Sequence, residues 1–183
     1  MDRFFSELDR YLFGVGRHYQ IYEKMGAHPC IFEGKNGIHF AVWAPHAKAV
    51  SLVSDRNGWN PEANPMIRVE DSGIFECFVP DMGENELYKY AILTQKDEWI
   101  YKADPYGFFS EFRPGTASVT TDLTNFSWND KAWMEARKKK NMDESPMMIY
   151  EVHLGSWKRE GNPERNGFIS YQKAGRDLAE YCN

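Results

Sequence analysis

Residues Gly37-Ile38-His39-Phe40-Ala41-Val42-Trp43-Ala44-Pro45 decide the fold. Ile38, Phe40 and Val42 recur at a period of two, which sets them on one face of a β-strand. Ala44-Pro45 closes that strand, because proline has no N–H to give to a ladder. The same kind of segment recurs further along the chain. Val50 and Leu52 belong to the next apolar run, and Asp55-Arg56-Asn57-Gly58-Trp59-Asn60-Pro61 is dense in turn formers. Phe75, Cys77 and Val79 alternate after a Ser72-Gly73 turn, and Gly83 separates them from Tyr88, Tyr90 and Ile92. Trp99 and Tyr101 mark one more short run. Short strands broken by turns, with no helical pattern between them, predict an antiparallel sandwich.

Both flanks have a different character. On the amino-terminal side, Phe4, Phe5, Leu8, Tyr11 and Leu12 recur at helical spacing, and Gly14 and Gly16 end the pattern. So short a helix needs a surface to lie on. On the carboxyl-terminal side, Ser127 with Asp130 has the spacing of a capping box ahead of Trp128, Ala132, Trp133 and Ala136. A polar, acidic linker follows over 141–146 and ends in proline. Residues 147–154, Met-Met-Ile-Tyr-Glu-Val-His-Leu, are almost continuously apolar, as in a strand buried on both faces. A Gly-rich loop over 155–167 and a helix after Ser170, carrying Tyr171, Ala174, Leu178 and Tyr181, complete a strand-loop-helix unit. That unit opens a parallel α/β fold. One such strand has no sheet to join. The chain is therefore expected to stop inside a domain.

Composition removes several function classes. The chain has 183 residues, with 22 Lys and Arg against 27 Asp and Glu, a formal net charge of −5. A chain that tracks nucleic-acid phosphates usually shows a basic stripe, and the one basic run, 137–140, reads as a solvated helix end. The longest stretch without a charged residue, 36–47, is too short to span a bilayer. Asp2, Glu7 and Asp9 so near the start exclude a signal peptide. Three scattered cysteines, Cys30, Cys77 and Cys182, fit a reducing cytoplasm and neither a disulfide frame nor a zinc site. The five histidines lack metal-ligand spacing, and no P-loop, GxGxxG or GxSxG occurs. The aromatic load, 15% of all residues, is left without a chemical role.

Several stretches then resemble one family. Tyr22-Glu23-Lys24-Met25-Gly26-Ala27-His28-Pro29 is similar to the entry segment of bacterial glycogen branching enzymes. Residues 37–45 resemble the strand that opens their amino-terminal carbohydrate-binding module, and residues 55–59 resemble that module's Asp-Asn-Trp loop. The loop departs at Arg56, where an aromatic is usual. Asp104-Pro105 and Arg113-Pro114-Gly115-Thr116-Ala117-Ser118 resemble later positions. Ile149-Tyr150-Glu151-Val152-His153-Leu154-Gly155-Ser156-Trp157-Lys158-Arg159 resembles the first strand and loop of the catalytic barrel. The resemblance implies a mainly β chain: a helical leader (1–28), an immunoglobulin-like sandwich (29–125), a linker helix (126–146) and the truncated start of a (β/α)₈ barrel (147–183). It implies a parent enzyme that cleaves an α-1,4 link and transfers the chain to a 6-hydroxyl. It implies no metal or organic cofactor.

A retaining transfer needs a carboxylate nucleophile and a carboxylic acid about 5–5.5 Å apart. In a barrel those groups come from the ends of different strands. One strand cannot supply them, so no catalytic residue is assigned, Glu151 is taken as structural, and the chain alone is expected to be inactive. Only Gly155, Ser156 and Trp157 are placed to reach the mouth of a complete barrel. Without its barrel, the chain after Pro146 is expected to be disordered or to self-associate through the apolar strand and the face of the last helix.

The expected partner is an α-glucan. Its rings offer apolar C–H faces and many hydroxyls, so binding needs flat aromatic surfaces and hydrogen-bonding side chains. Desolvating one Trp face contributes about 1–2.5 kcal/mol. Trp59, in a turn-rich loop, has no strand face to bury it, and Trp99 follows the polar stretch 95–98. In glycogen-binding relatives of the module, two tryptophans and a strand lysine form the sugar platform, and Trp59, Trp99 and Lys89 match those positions. Plainer roles exist for each. The tryptophans can close the sandwich or pack on a barrel, and Lys89, alternating away from Tyr88 and Tyr90, can be a solvated lysine. Two other functions stay open as well: a free-standing glucan-binding module, and a spacer that orients a barrel.

Overall fold

The alternating segments pair as the hydrophobic pattern predicts. The computed structural model describes residues 4–161 and 166–182. Its strands are β1 (Gly26–Phe32), β2 (Lys35–Trp43), β3 (Ala49–Ser54), β4 (Ile67–Arg68), β5 (Ile74–Pro80), β6 (Leu87–Leu93), β7 (Trp99–Lys102), β8 (Phe109–Ser110) and β9 (Ser118–Val119). Every strand pair is antiparallel. One sheet runs β1-β2-β5-β4 and the other β3-β6-β9-β8, with β7 also on β6. Residues 26–28 thus belong to the first sheet. Pro29 sits in β1 opposite Ile38, and it is tolerated because β1 lies at the sheet edge.

The inner faces meet in one core. Ile38, Phe40 and Val42 from the first sheet pack with Val50, Leu52, Tyr88 and Tyr90 from the second. The two tyrosines bring hydroxyls into that core, and a buried hydroxyl needs a partner. Both donate to Asp104 Oδ2, Tyr88 at 2.6 Å and Tyr90 at 3.1 Å. Tyr106 N–H donates to the other carboxylate oxygen at 2.8 Å. Burial raises the Asp104 carboxyl, and these hydrogen bonds offset part of that rise.

The leader covers the outer face of the first sheet. Helix α1 (Glu7–Gly14) starts with a capping box, in which Asp9 N–H donates to Ser6 Oγ and Ser6 N–H to the Asp9 carboxylate. Phe4 stacks on the His39 ring at 3.7 Å, Phe5 is buried, and Phe13 meets Trp43 edge-on at 6.0 Å. Met25, Ala41, Val69 and Ile74 complete this second core. His39 is paired beneath it with Glu76 at 3.2 Å. Burial lowers the His39 imidazole, and the Glu76 contact opposes that shift. The expected apolar stripe is buried only in part: Phe5 is buried and Phe4 packs beside it, whereas Leu8 and Tyr11 face solvent and Asp9 faces inward. The reason is that Asp9 closes a polar clasp, accepting from Lys24 Nζ at 2.6 Å and lying 2.9 Å from His18. Burial alone raises the Asp9 carboxyl, but the bonds to Lys24, Ser6 and His18 outweigh it and hold it well below the usual carboxylate range.

The chain divides into two compact units, Met1–Ser127 and Trp128–Asn183. In the second, α2 (Lys131–Lys139) is preceded by Asp130 at the cap position, without a side-chain cap bond. The expected Ser127 cap is therefore not formed. Segment 147–154, expected as a buried strand, has no strand structure over 147–153 and is exposed, Met148 at 98% and Ile149 at 80%. A parallel strand needs neighbouring strands for its N–H and C=O groups, and no strand lies beside this segment among the described residues. Leu154 instead opens a one-turn helix, α3 (Leu154–Trp157). Residues 162–165 of the expected 155–167 loop lie outside the described residues. Helix α4 (Tyr171–Cys182) starts where expected, with Lys173 N–H donating to Ser170 Oγ at 3.2 Å. Tyr181 holds the other parts of this unit, its ring 5.1 Å from Tyr150 and 6.0 Å from Trp157.

Candidate functional site

The site is built from the outer face of the second sheet. Along β6, Tyr88, Tyr90 and Ile92 point into the core, so Lys89, Ala91 and Leu93 point outward. Trp99 of β7 lies opposite Leu93 and Tyr101 opposite Ala91, which adds both aromatics to the same outer face. On the other side of β6, Val53 of β3 lies opposite Lys89. Lys89 and the Leu93–Trp99 pair are four positions apart, roughly 13 Å along the strand. The small residues of this face, Val53 and Ala91, are buried, whereas Trp99 and Lys89 are half-buried and Tyr101 is exposed. Lys89 Nζ donates to Thr116 Oγ1 at 2.7 Å, so the ammonium is held across the face towards β9.

Trp59 stands on the loop that leaves β3, and each motif residue has a definite task. Asn57 is the anchor. Its Oδ1 accepts from Ser54 N–H at 3.0 Å, and its Nδ2 donates to Leu52 C=O at 2.9 Å and to Asn64 Oδ1 at 2.7 Å. Asp55–Asn57 form one turn of 3₁₀-helix, and Gly58 leaves it in the left-handed region at φ 62°. Trp59 follows at φ 59°, a conformation that costs a bulky residue of order 1–3 kcal/mol. Two bonds hold it there: Trp59 N–H donates to Ser54 C=O at 3.0 Å, and the indole Nε1–H donates to Asp55 Oδ1 at 2.8 Å. Arg56, where the resembling family usually has an aromatic, turns away to pair with Glu86. That pairing holds the Glu86 carboxyl below its ordinary value, against the opposing effect of burial.

The structure thus places Lys89 and Trp99 on one face by register. It mounts Trp59 on the loop at the Val53–Lys89 end of that face. A cleft of about 300 Å³ lies elsewhere in the same unit, among Tyr22, His28, Phe108 and Leu123. An open face suits a polymer that runs across it, whereas a small metabolite needs a pocket that surrounds it. The resemblance marks Asp55, Asn57 and Thr116 as motif positions but not their tasks, which depend on three-dimensional partners. Among the described residues, no three His, Cys, Asp or Glu side chains come together to hold a metal. No helix among them is long and apolar enough to cross a membrane.

Fold and register together define an antiparallel two-sheet β-sandwich. Residues 24–107 match the family model of carbohydrate-binding module 48, the isoamylase N-terminal domain. Across nearly its whole length, the chain is similar to a portion of 1,4-alpha-glucan branching enzymes. It is 48% identical over 97% of its residues to the branching enzyme GlgB of Protochlamydia amoebophila, and covers 24% of that protein. The corresponding figures for GlgB of Butyrivibrio fibrisolvens are 46%, 97% and 28%. The chain thus spans about a quarter of the length of these relatives. Among solved structures, it resembles a putative alpha amylase from Salmonella typhimurium with a TM-score of 0.46 and 18% identity, over 60% of this chain and 17% of that one.

Proposed function

We propose that the chain is the amino-terminal part of an enzyme that cleaves an α-1,4 link in a glucan and joins the freed chain to a 6-hydroxyl. Its own contribution is to hold the polymer. Trp59 and Trp99 offer flat apolar surfaces to the C–H faces of glucose rings, and Lys89 donates to hydroxyls between them. The observation that carries this reading is the shared face: Lys89 and Trp99 point the same way from adjacent strands, at the end of which the Asp55–Trp59 loop holds an indole in a fixed pose. The contacts are individually weak, and repeated sites on one polymer multiply them.

Catalysis belongs to a (β/α)₈ barrel to which residues 147–183 contribute the first strand, loop and helix. The exposed apolar segment 147–154 finds its strand partners there, and in their absence it is a surface for self-association. Residues 1–28 act as the leader, 29–125 as the glucan-binding sandwich and 126–146 as the linker. A cytoplasmic location goes with the free thiols of Cys30, Cys77 and Cys182. A purified 183-residue chain is expected to co-sediment with glycogen and to form no α-1,6 links from amylose. Measurable branch formation would contradict the assignment of catalysis to the barrel, and failure to co-sediment would contradict the binding role.

A further inference from the structure

We propose that Asp55 is a positioning residue for carbohydrate, acting through Trp59. The proposal rests on the platform role of Trp59. Stacking on a sugar needs an indole held at a fixed tilt, because a ring free to rotate about χ1 and χ2 loses that freedom on binding. Backbone geometry fixes only the base of the side chain. Gly58 and Trp59 both lie in the left-handed region, and Asn57 ties the turn to Leu52, Ser54 and Asn64. The far end of the indole is tied down by its Nε1–H, which donates to Asp55 Oδ1 at 2.8 Å. An acceptor at that point sets the ring plane. Because the acceptor is a carboxylate, it also polarises the N–H bond and pushes electron density onto the ring, which strengthens the attraction between the ring face and the slightly positive C–H groups of a sugar.

The motif spacing follows from this. A residue four positions before the tryptophan, at the start of the 3₁₀ turn, is where the chain can reach back to the indole nitrogen. Asp55 needs no contact with sugar to do this.

The test compares maltoheptaose affinity of the intact chain with four variants: Asp55→Ala, Asp55→Leu, Asp55→Asn and Trp59→Ala. Leucine and asparagine have nearly the same shape, and only asparagine keeps an acceptor, so packing and hydrogen bonding separate even where loop stability changes. Asp55→Ala and Asp55→Leu are expected to weaken binding by about 3- to 10-fold, the range of one hydrogen bond's net worth. Asp55→Asn is expected to recover most of that loss. The Trp59 indole N–H resonance in an ¹H–¹⁵N spectrum is expected to move upfield in the alanine and leucine variants and to stay close to its original position in the asparagine variant. A Trp59→Ala variant that loses affinity while Asp55→Leu keeps it overturns the positioning role and leaves the platform standing. A Trp59→Ala variant with unchanged affinity overturns the platform itself, and the positioning role with it.

Discussion

The two sheets of the sandwich each turn one face away from the shared core, and the chain treats those faces differently. On the first sheet, His39, Ala41, Ile74 and Glu76 are all buried, because Phe4, Phe5 and Met25 fold over them. On the second, only small residues such as Val53 and Ala91 are buried, and the large ones, Trp99, Lys89 and Tyr101, keep part of their surface in water. A β-sheet does not need both faces covered, since an antiparallel sheet is stable with one face solvated. The leader is thus a cover for one side, and the aromatics on the other side keep part of their surface in water. In the sandwich, the aromatics divide accordingly into core rings, covering rings and rings on the uncovered face.

This contrast can be broken from either side. The largest expected effect comes from removing the cover. Phe5→Ala deletes a buried ring from the second core and is expected to lower stability by about 3–5 kcal/mol in a urea melt. Maltoheptaose affinity measured below the transition is expected to be unchanged, because the platform lies on the opposite sheet.

A smaller effect is expected from the clasp that seats the leader. Asp9→Asn replaces the carboxylate facing Lys24, His18 and Ser6 and is expected to cost about 1 kcal/mol. The sign of its pH dependence follows from the direction of the shift. The Asp9 carboxyl is depressed in the folded chain, so its contribution is full above the unfolded value near pH 4 and is lost as the pH falls below it. Thermal melts of the original chain and Asp9→Asn are expected to draw together progressively as the pH falls from about 4 through 2 and below. A constant gap across that range would show that the clasp does not titrate with folding.

Much of the sandwich was legible because period-two patterning and turn residues are local signals. Ile38, Phe40 and Val42 declare their face whatever surrounds them. Edge strand β1 was not legible, since Pro29 and a polar-apolar mixture hide its pairing with β2. Segment 147–154 shows the opposite failure. Its composition is that of a buried strand, but a strand exists only where a neighbour receives its hydrogen bonds. The site divides in the same way. Trp59 stood out as a large apolar residue among turn formers, whereas the common face of Lys89 and Trp99 depends on the β6–β7 register. Asp55 and Asn57 stood in a motif, but what each does became clear only with its partners, Trp59 for one and Leu52, Ser54 and Asn64 for the other.

The central claim is that the uncovered sheet is the glucan-binding face. Calorimetric titration of maltoheptaose into the 183-residue chain and into a Trp59→Ala, Trp99→Ala double variant tests it most directly. Two lost stacking surfaces of about 1–2.5 kcal/mol each predict a fall in affinity of at least about 30-fold, with the melting transition nearly unchanged. Undiminished binding by the double variant would contradict the account and place the glucan elsewhere on the chain.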